Sequence, residues 1–141
     1  MVRKVFILSG ILLSMMSCVH AAGPVQCPES ISVNQKLIKD LNGWESLDNK
    51  EPHRFDRVAL YFGHPSEKES LVPDDPDNEE QSTWTLSRKP TDDFYWIGCH
   101  YQNTSMILAK KVDGNAKKCV ATYKQLPTNK NISIFQNITC Q

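Results

Sequence analysis

The sequence predicts an all-β fold: a single small antiparallel sandwich or barrel of about seven strands. Short runs rich in aromatic and β-branched residues recur along the chain, and turn-forming residues separate them. Residues 22–141 contain no convincing amphipathic helical pattern. Short strands at this spacing are typical of sandwiches and barrels. Four cysteines in the same region add a prediction of two disulfides.

The most regular pattern is a β-hairpin at residues 93–112. Its first half, residues 94–101, carries apolar side chains on both alternating faces, which favours a central strand over an edge strand. Gln102 and Asn103 then interrupt the run, and Asn tolerates the positive φ of a tight turn. Gly98 within the first strand predicts a bulge or a close approach by another part of the chain.

The other predicted strands are shorter or less regular. We expect them at residues 30–38, 57–62, 83–86, 118–124 and 131–140. Trp44 follows a turn after the first of these, and we expect it to cap the core. Of the three tryptophans, Trp44, Trp84 and Trp96, we expect at least two to be buried because they lie beside or within core strands.

The first residues predict export. Arg3 and Lys4 precede an apolar run at residues 5–16, and small residues follow, as in a secretory signal peptide. We predict a signal peptide at residues 1–21, with cleavage after Ala21 or, as the alternative, after Ala22. Lipidation at Cys18 is a weaker alternative, because the residues before it are a poor lipobox. The remaining residues, 22–141, form one secreted β domain without a membrane span, and the expected location is the periplasm.

The even number of cysteines after the signal peptide argues for two disulfides, with three pairings open in principle. We favour Cys99–Cys119, because neighbouring antiparallel strands can bring these residues within bridging distance. This choice leaves Cys27–Cys140 to tie the two ends of the domain. Their spacings contain no C-x-x-C pair, which argues against a zinc site.

The charges of the chain are balanced but unevenly distributed. Without Arg3 and Lys4, the 16 basic and 16 acidic residues reduce to a net charge of about −2. This composition argues against a nucleic-acid partner and suits a basic protein partner. The densest acidic run is residues 74–80, hereafter the acidic segment. We expect it to be an exposed, mobile loop that is extended in the free protein. Its five acids are Asp74, Asp75, Asp77, Glu79 and Glu80.

Catalytic motifs are missing from the sequence. It contains no G-x-S-x-G, H-E-x-x-H or P-loop pattern, and no calcium-loop order in the acidic segment. Oxidised cysteines would provide no thiolate nucleophile. We therefore predict a protein that is not an enzyme and needs no cofactor or metal.

At several spaced residues the chain resembles a family of small exported bacterial proteins, the STY-type family. They are Cys27-Pro28, Gly43-Trp44, residues 61–67, residues 70–74, Trp84, Cys99, Tyr101, Thr104 and Cys119. The resemblance covers nearly all of residues 22–141. It implies a periplasmic immunity protein paired with a secreted antibacterial toxin, including peptidoglycan-targeting toxins of the L,D-transpeptidase-like kind. The sequence departs from the family pattern at His64 and at Gln102-Asn103.

The predicted function is therefore binding and neutralisation of a secreted protein toxin or cell-wall hydrolase. Two alternatives stay open: an inhibitor of lysozyme, and a carbohydrate- or peptidoglycan-binding module that stacks sugars on its tryptophans. We predict that the partner contacts the five acids of the acidic segment and the hairpin residues Gln102 and Asn103. The oligomeric state is left open.

Overall fold

The computed structural model describes residues 23–48, 50–67, 69–87 and 94–141. The predicted signal peptide and Cys18 lie outside the described residues. Apart from one short 3-10 turn, Pro65–Glu67, the regular elements are strands. They are β1 (Ser30–Ile31), β2 (His53–Phe62), β3 (Gln81–Thr85), β4 (Tyr95–Tyr101), β5 (Ile107–Lys111), β6 (Lys118–Leu126) and β7 (Asn129–Cys140).

The strands form two antiparallel sheets, which confirms the predicted all-β fold. The first sheet has the order β1-β2-β4-β5, and the second has the order β3-β6-β7. Buried apolar side chains from β2, β3, β4, β6 and β7 join in one cluster between the sheets. The arrangement is therefore a sandwich. Ile138 of β7, Leu60 of β2 and Cys119 of β6 are its largest fully buried side chains.

The predicted hairpin is confirmed. β4 and β5 pair antiparallel, with Trp96 opposite Lys111 and His100 opposite Ile107. β4 also pairs with β2, so it is a central strand as its two apolar faces indicated. Asn103 adopts a φ of 57°, the left-handed conformation expected of the turn.

Gly98 provides the close approach that the sequence predicted. A Cβ atom at this position would lie 2.7 Å from Cε2 of Tyr61. The Tyr61 ring therefore lies across the strand where glycine has no side chain, and it is buried there. The irregularity in the pairing of β2 with β4 lies elsewhere, between Phe55 and Arg57.

The expectation for the first strand was wrong in length. Only Ser30–Ile31 pair with β2, and residues 32–52 contain no strand among those described. Trp44 is consequently carried away from the sheets and is 81% exposed, so it does not cap the core. Trp84 is 4% exposed and donates from Nε1 to the Leu71 carbonyl at 3.2 Å. Trp96 is half-buried. Only one tryptophan is therefore buried, not two.

Two disulfides are present, as predicted, but their pairing differs from the prediction. Cys27 is bonded to Cys99, and Cys119 is bonded to Cys140. The predicted Cys99–Cys119 bridge fails because β4 and β6 belong to different sheets. Cys119 instead lies directly opposite Cys140 in the β6–β7 register, with a Cα–Cα distance of 4.1 Å. The Cys27–Cys99 bridge ties the segment before β1 to the central strand β4.

Candidate interaction surfaces

The acidic segment is exposed, as predicted, but it folds back along β3 instead of extending. The backbone N–H of Asp74 donates to the Thr83 carbonyl at 2.7 Å. The Asp74 carboxylate accepts hydrogen bonds from the backbone N–H and the hydroxyl of Thr85, at 2.9 and 2.8 Å. Asn78 Oδ1 accepts from the backbone N–H groups of Glu80 and Gln81. Short local bonds of this kind compete with an extended conformation.

Three further hydrogen bonds attach the acidic segment to β6 and β7. Gln125 donates to the Glu79 carboxylate at 3.1 Å, and the hydroxyl of Ser133 donates to the Glu79 carbonyl at 3.3 Å. The N–H of Tyr123 donates to the Glu80 carbonyl at 2.9 Å. Asp74 and Glu79 thus have structural roles, which the sequence pattern did not reveal.

The carboxylates of the other three acids of the segment are exposed to solvent. Asp75, Asp77 and Glu80 are exposed, and their carboxylates have no hydrogen-bond or ion-pair partner within the described part of the chain. Three unpaired like charges on a short segment create a local negative potential that water and salt only partly screen. These three residues are therefore the part of the segment that is available to a basic partner.

Gln102 and Asn103 form the exposed turn between β4 and β5. The N–H of Gln102 donates to the Arg54 carbonyl at 2.9 Å, and the Gln102 carbonyl accepts from Nδ1 of His53 at 2.9 Å. Their side chains remain exposed. Among the residues described, no hydrogen bond or ion pair joins this turn to the acidic segment, so the two predicted contact regions are not directly bonded to each other.

An open groove of about 820 Å³ lies where β2 meets β7 across the two sheets. Phe55 and Phe135 stack in it with ring centroids 5.2 Å apart, and Tyr101 meets Phe55 edge-on at 6.1 Å. Arg57 and Asp56 lie on its wall and form an exposed ion pair of 2.7 Å. The groove could not be predicted from the sequence, because its walls come from strands that are distant in sequence and belong to different sheets.

Tyr61 and His100 form a hydrogen-bonded pair on the outer face of the first sheet. Tyr61 Oη lies 2.6 Å from His100 Nε2, and the two rings stack with centroids 6.0 Å apart. Burial lowers the pKa of His100 from its ordinary value of 6.5, and the positive charge of Arg57 lowers it further, while Asp56 acts in the opposite direction. The lowered pKa favours the neutral imidazole, whose Nε2 accepts a hydrogen bond from the Tyr61 hydroxyl.

The lowered pKa of His100 predicts a pH dependence of stability. Below pH 6.5, His100 binds a proton more readily in the unfolded chain than in the folded protein. The contribution of neutral His100 to the free energy of unfolding is therefore fully present above this pH and is lost as pH falls through the lower folded-state pKa. We expect the free energy of unfolding, measured with urea, to fall more for wild-type protein than for His100→Gln when the pH is lowered from about 7.5 to about 5. Glutamine can still hydrogen-bond to Tyr61. His64→Gln, at an exposed histidine, should behave like wild type; equal losses in all three proteins would contradict the prediction.

Within the described residues, no group of three or more His, Cys, Asp or Glu side chains could hold a metal ion. In the same residues, no helix has both the length and the apolar character needed to cross a membrane.

A family comparison decides the class of protein. The model of the type VI secretion system Tli immunity protein family matches residues 49–141, about two-thirds of the chain. The chain belongs to this family. A search of curated proteins and a search of solved structures give no match.

The Tli immunity domain contains every residue that the sequence analysis assigned to partner contact. The match begins just before β2 and runs to the end of β7, so it includes the acidic segment, the hairpin turn and the inter-sheet groove's β2 and β7 walls. As a Tli immunity protein, the chain neutralises a secreted antibacterial toxin. The immunity character implied by the sequence resemblance is therefore confirmed, while the narrower STY-type assignment stays a prediction.

Proposed function

We propose that this Tli immunity protein acts in the periplasm and neutralises its toxin by binding it, without catalysis. The periplasmic location is supported mainly by the two disulfides, Cys27–Cys99 and Cys119–Cys140. Disulfides form and persist in oxidising compartments such as the periplasm and are rare in the cytosol. The predicted signal peptide at residues 1–21 supports the same location.

Inhibition by binding agrees with the surface of the molecule. The two sheets and the two disulfides make a rigid scaffold, and complexes between rigid partners lose little conformational entropy on association. Exposed groups of one charge sign, such as Asp75, Asp77 and Glu80, can guide such a partner. His100 is hydrogen-bonded to a tyrosine rather than to a carboxylate, so it lacks the partner that orients a catalytic histidine. Peptidoglycan as the toxin's substrate rests on the sequence resemblance alone.

The test of function begins with a search of the neighbouring genes for a toxin and uses the toxin found there. Cells that export the toxin to the periplasm should stop growing, and co-expression of the full-length immunity protein should restore growth. A variant without residues 1–21 should not protect, because it stays in the cytosol. Equal protection by both forms would contradict the periplasmic location. Failure of the full-length form to protect would contradict neutralisation of that toxin.

We further propose that the acidic segment speeds association with a basic toxin surface. The combined variant Asp75→Asn, Asp77→Asn and Glu80→Gln removes only the unpaired charges and leaves the structural bonds of Asp74 and Glu79 intact. Electrostatic steering raises association rates by about 10-fold or more, so we expect a loss of about 10-fold at low salt. The salt dependence should flatten, and the dissociation rate should change little, because exposed charges act mainly on association.

The matched control for this variant removes three exposed acids elsewhere, at Glu29, Glu67 and Glu69, by substitution with glutamine. Stopped-flow association rates at several salt concentrations compare the two variants. A slower rate in the acidic-segment variant alone supports the proposal. Equal slowing in both would assign the effect to net charge, and unchanged rates in both would exclude the segment as a steering surface.

A further inference from the structure

Residues 36–47, hereafter the apolar loop, expose an unusual number of large apolar side chains. The described residues contain ten exposed large hydrophobic side chains, and five of them lie in this loop. Trp44 and Leu47 are 81% and 85% exposed. The other three are Leu37, Ile38 and Leu41. Scattered surface hydrophobics are normal, but a contiguous group marks an interaction site.

The apolar loop is held at its base. The backbone N–H of Gln35 donates to the Asp48 carboxylate at 3.3 Å, which joins the residues on either side of the loop. The Gln35 side-chain amide lies 3.3 Å from Nε2 of His53, whose Nδ1 lies 2.9 Å from the Gln102 carbonyl. A carbonyl only accepts, so Nδ1 of His53 carries the proton and Nε2 accepts from Gln35. The Gln35–Asp48 hydrogen bond therefore brings the two ends of the loop together.

A turn inside the apolar loop sets the position of Trp44. The N–H of Trp44 donates to the Leu41 carbonyl at 3.1 Å, and Gly43 between them has a φ of 82°. A residue with a side chain would be strained at this φ, so the glycine is required by the turn. The turn directs the chain so that Leu41 and Trp44 stay on the outside of the loop, where both are exposed.

The base of the apolar loop is continuous with the hairpin turn. An open cavity of about 450 Å³ lies between them. It is lined by Leu47 of the loop, by Asn103 of the turn, and by Gln35 and His53 at the loop's base. Because His53 is bonded to Gln102 and to Gln35, it fixes the two elements relative to each other. The predicted contact residue Asn103 therefore shares one open cavity with Leu47, the last apolar residue of the loop, although the two are far apart in sequence.

The apolar loop also lies outside the part of the chain that matches the family, which starts at residue 49. A surface element outside the shared domain can differ between family members without altering their common fold. We propose that the apolar loop is the element by which this protein grips its own toxin, with Trp44, Leu41 and their apolar neighbours entering an apolar recess on the toxin. This proposal rests on the proposed function, in which the toxin is the binding partner.

Charge favours a protein partner over a membrane surface. Segments that lie on membranes are rich in Lys and Arg on their polar face. The apolar loop instead balances Lys36 and Lys39 with Asp40 and Glu45. A partner pocket is the better match, since buried tryptophans are among the strongest contributors to protein–protein affinity. The acidic segment would then act on the association rate, and the apolar loop on the dissociation rate.

The test compares two double variants in binding to the purified cognate toxin by calorimetry and surface plasmon resonance. Leu41→Ala with Trp44→Ala removes two of the five exposed apolar side chains of the loop. We expect affinity to fall by about 30-fold or more through faster dissociation. Leu108→Ala with Ile132→Ala is the matched control, since these side chains of β5 and β7 are also exposed apolar groups. It should bind like wild type. Circular dichroism checks that both variants are folded.

Each other result has a defined meaning. If wild-type protein binds the toxin and the loop variant binds it with the same affinity, the loop proposal alone is overturned. No binding of wild-type protein to the toxin overturns the proposed function together with it. A wild-type dimer in light scattering that the loop variant loses would assign the loop to a second copy of this chain. Binding of wild type, but not of the variant, to anionic phospholipid vesicles would assign it to a membrane. Either assignment, with toxin affinity unchanged, overturns the proposal.

Discussion

Joint replacement of Cys27 and Cys99 by alanine is expected to lower the free energy of unfolding by roughly 4 kcal/mol. The bond joins residues separated by 72 positions, and closing a longer loop removes more conformational freedom from the unfolded chain. Joint replacement of Cys119 and Cys140, separated by 21 positions, should lower it by roughly 3 kcal/mol. Urea unfolding under oxidising conditions measures both, and reduced wild-type protein should be less stable than either variant.

Thiol titration of the same variants tests the pairing independently of stability. The Cys27→Ala, Cys99→Ala variant should contain no free thiol after denaturation, because Cys119 and Cys140 remain bonded to each other. Under the alternative pairing, Cys99–Cys119 with Cys27–Cys140, this variant would leave both remaining cysteines without their partners. Two reactive thiols in the mature variant would therefore contradict the connectivity described above.

Replacement of Ile138 by alanine is expected to destabilise the protein by about 3 kcal/mol. Ile138 is fully buried, pairs with Ala121 of β6 and forms a bridge with Val25 ahead of β1. It therefore packs where both sheets and the N-terminal segment meet. Truncation removes three carbons from a site that the surrounding strands cannot easily fill, so a cavity term adds to the lost burial.

The control for Ile138 is Ile132→Ala on the same strand. Ile132 is 47% exposed, so its truncation should cost less than about 1 kcal/mol. The two changes are chemically identical and differ only in burial. Similar urea midpoints for the two variants would mean that Ile138 is not at the centre of the core.

Local patterns were sufficient for most of the strands. The alternation in residues 94–101, the Gln102–Asn103 turn and the apolar return strand identify the hairpin without tertiary information, because side-chain period and turn conformation are local properties. The same holds for β2, although it starts at His53 rather than at residue 57. The polar residues His53, Arg54 and Asp56 obscured the start of its alternation. The exposure of the acidic segment also followed from composition.

Part of the candidate site was equally visible in the sequence. The acids at positions 75, 77 and 80 are exposed and unpaired within the described residues, as their density suggested. The structural roles of Asp74 and Glu79 were not visible in the sequence. Thr85 meets Asp74 only because the segment folds back along β3, and Gln125 meets Glu79 only because β6 lies beside β3. The joining of His53 to both Gln35 and Gln102 is likewise a contact between segments that are distant in sequence.

The cysteine pairing and the fate of Trp44 were decided by tertiary structure. Whether Cys119 meets Cys99 or Cys140 depends on which sheet β6 joins, and the residues of β6 contain no information about that choice. Trp44 has the apolar character of a core residue, yet β1 ends at Ile31 and leaves the tryptophan outside the sandwich. Residue type and period determine which segments become strands and which way their side chains alternate. Which strands become neighbours depends on packing energy summed over both sheets, and that sum also decides which apolar side chains are left outside the core.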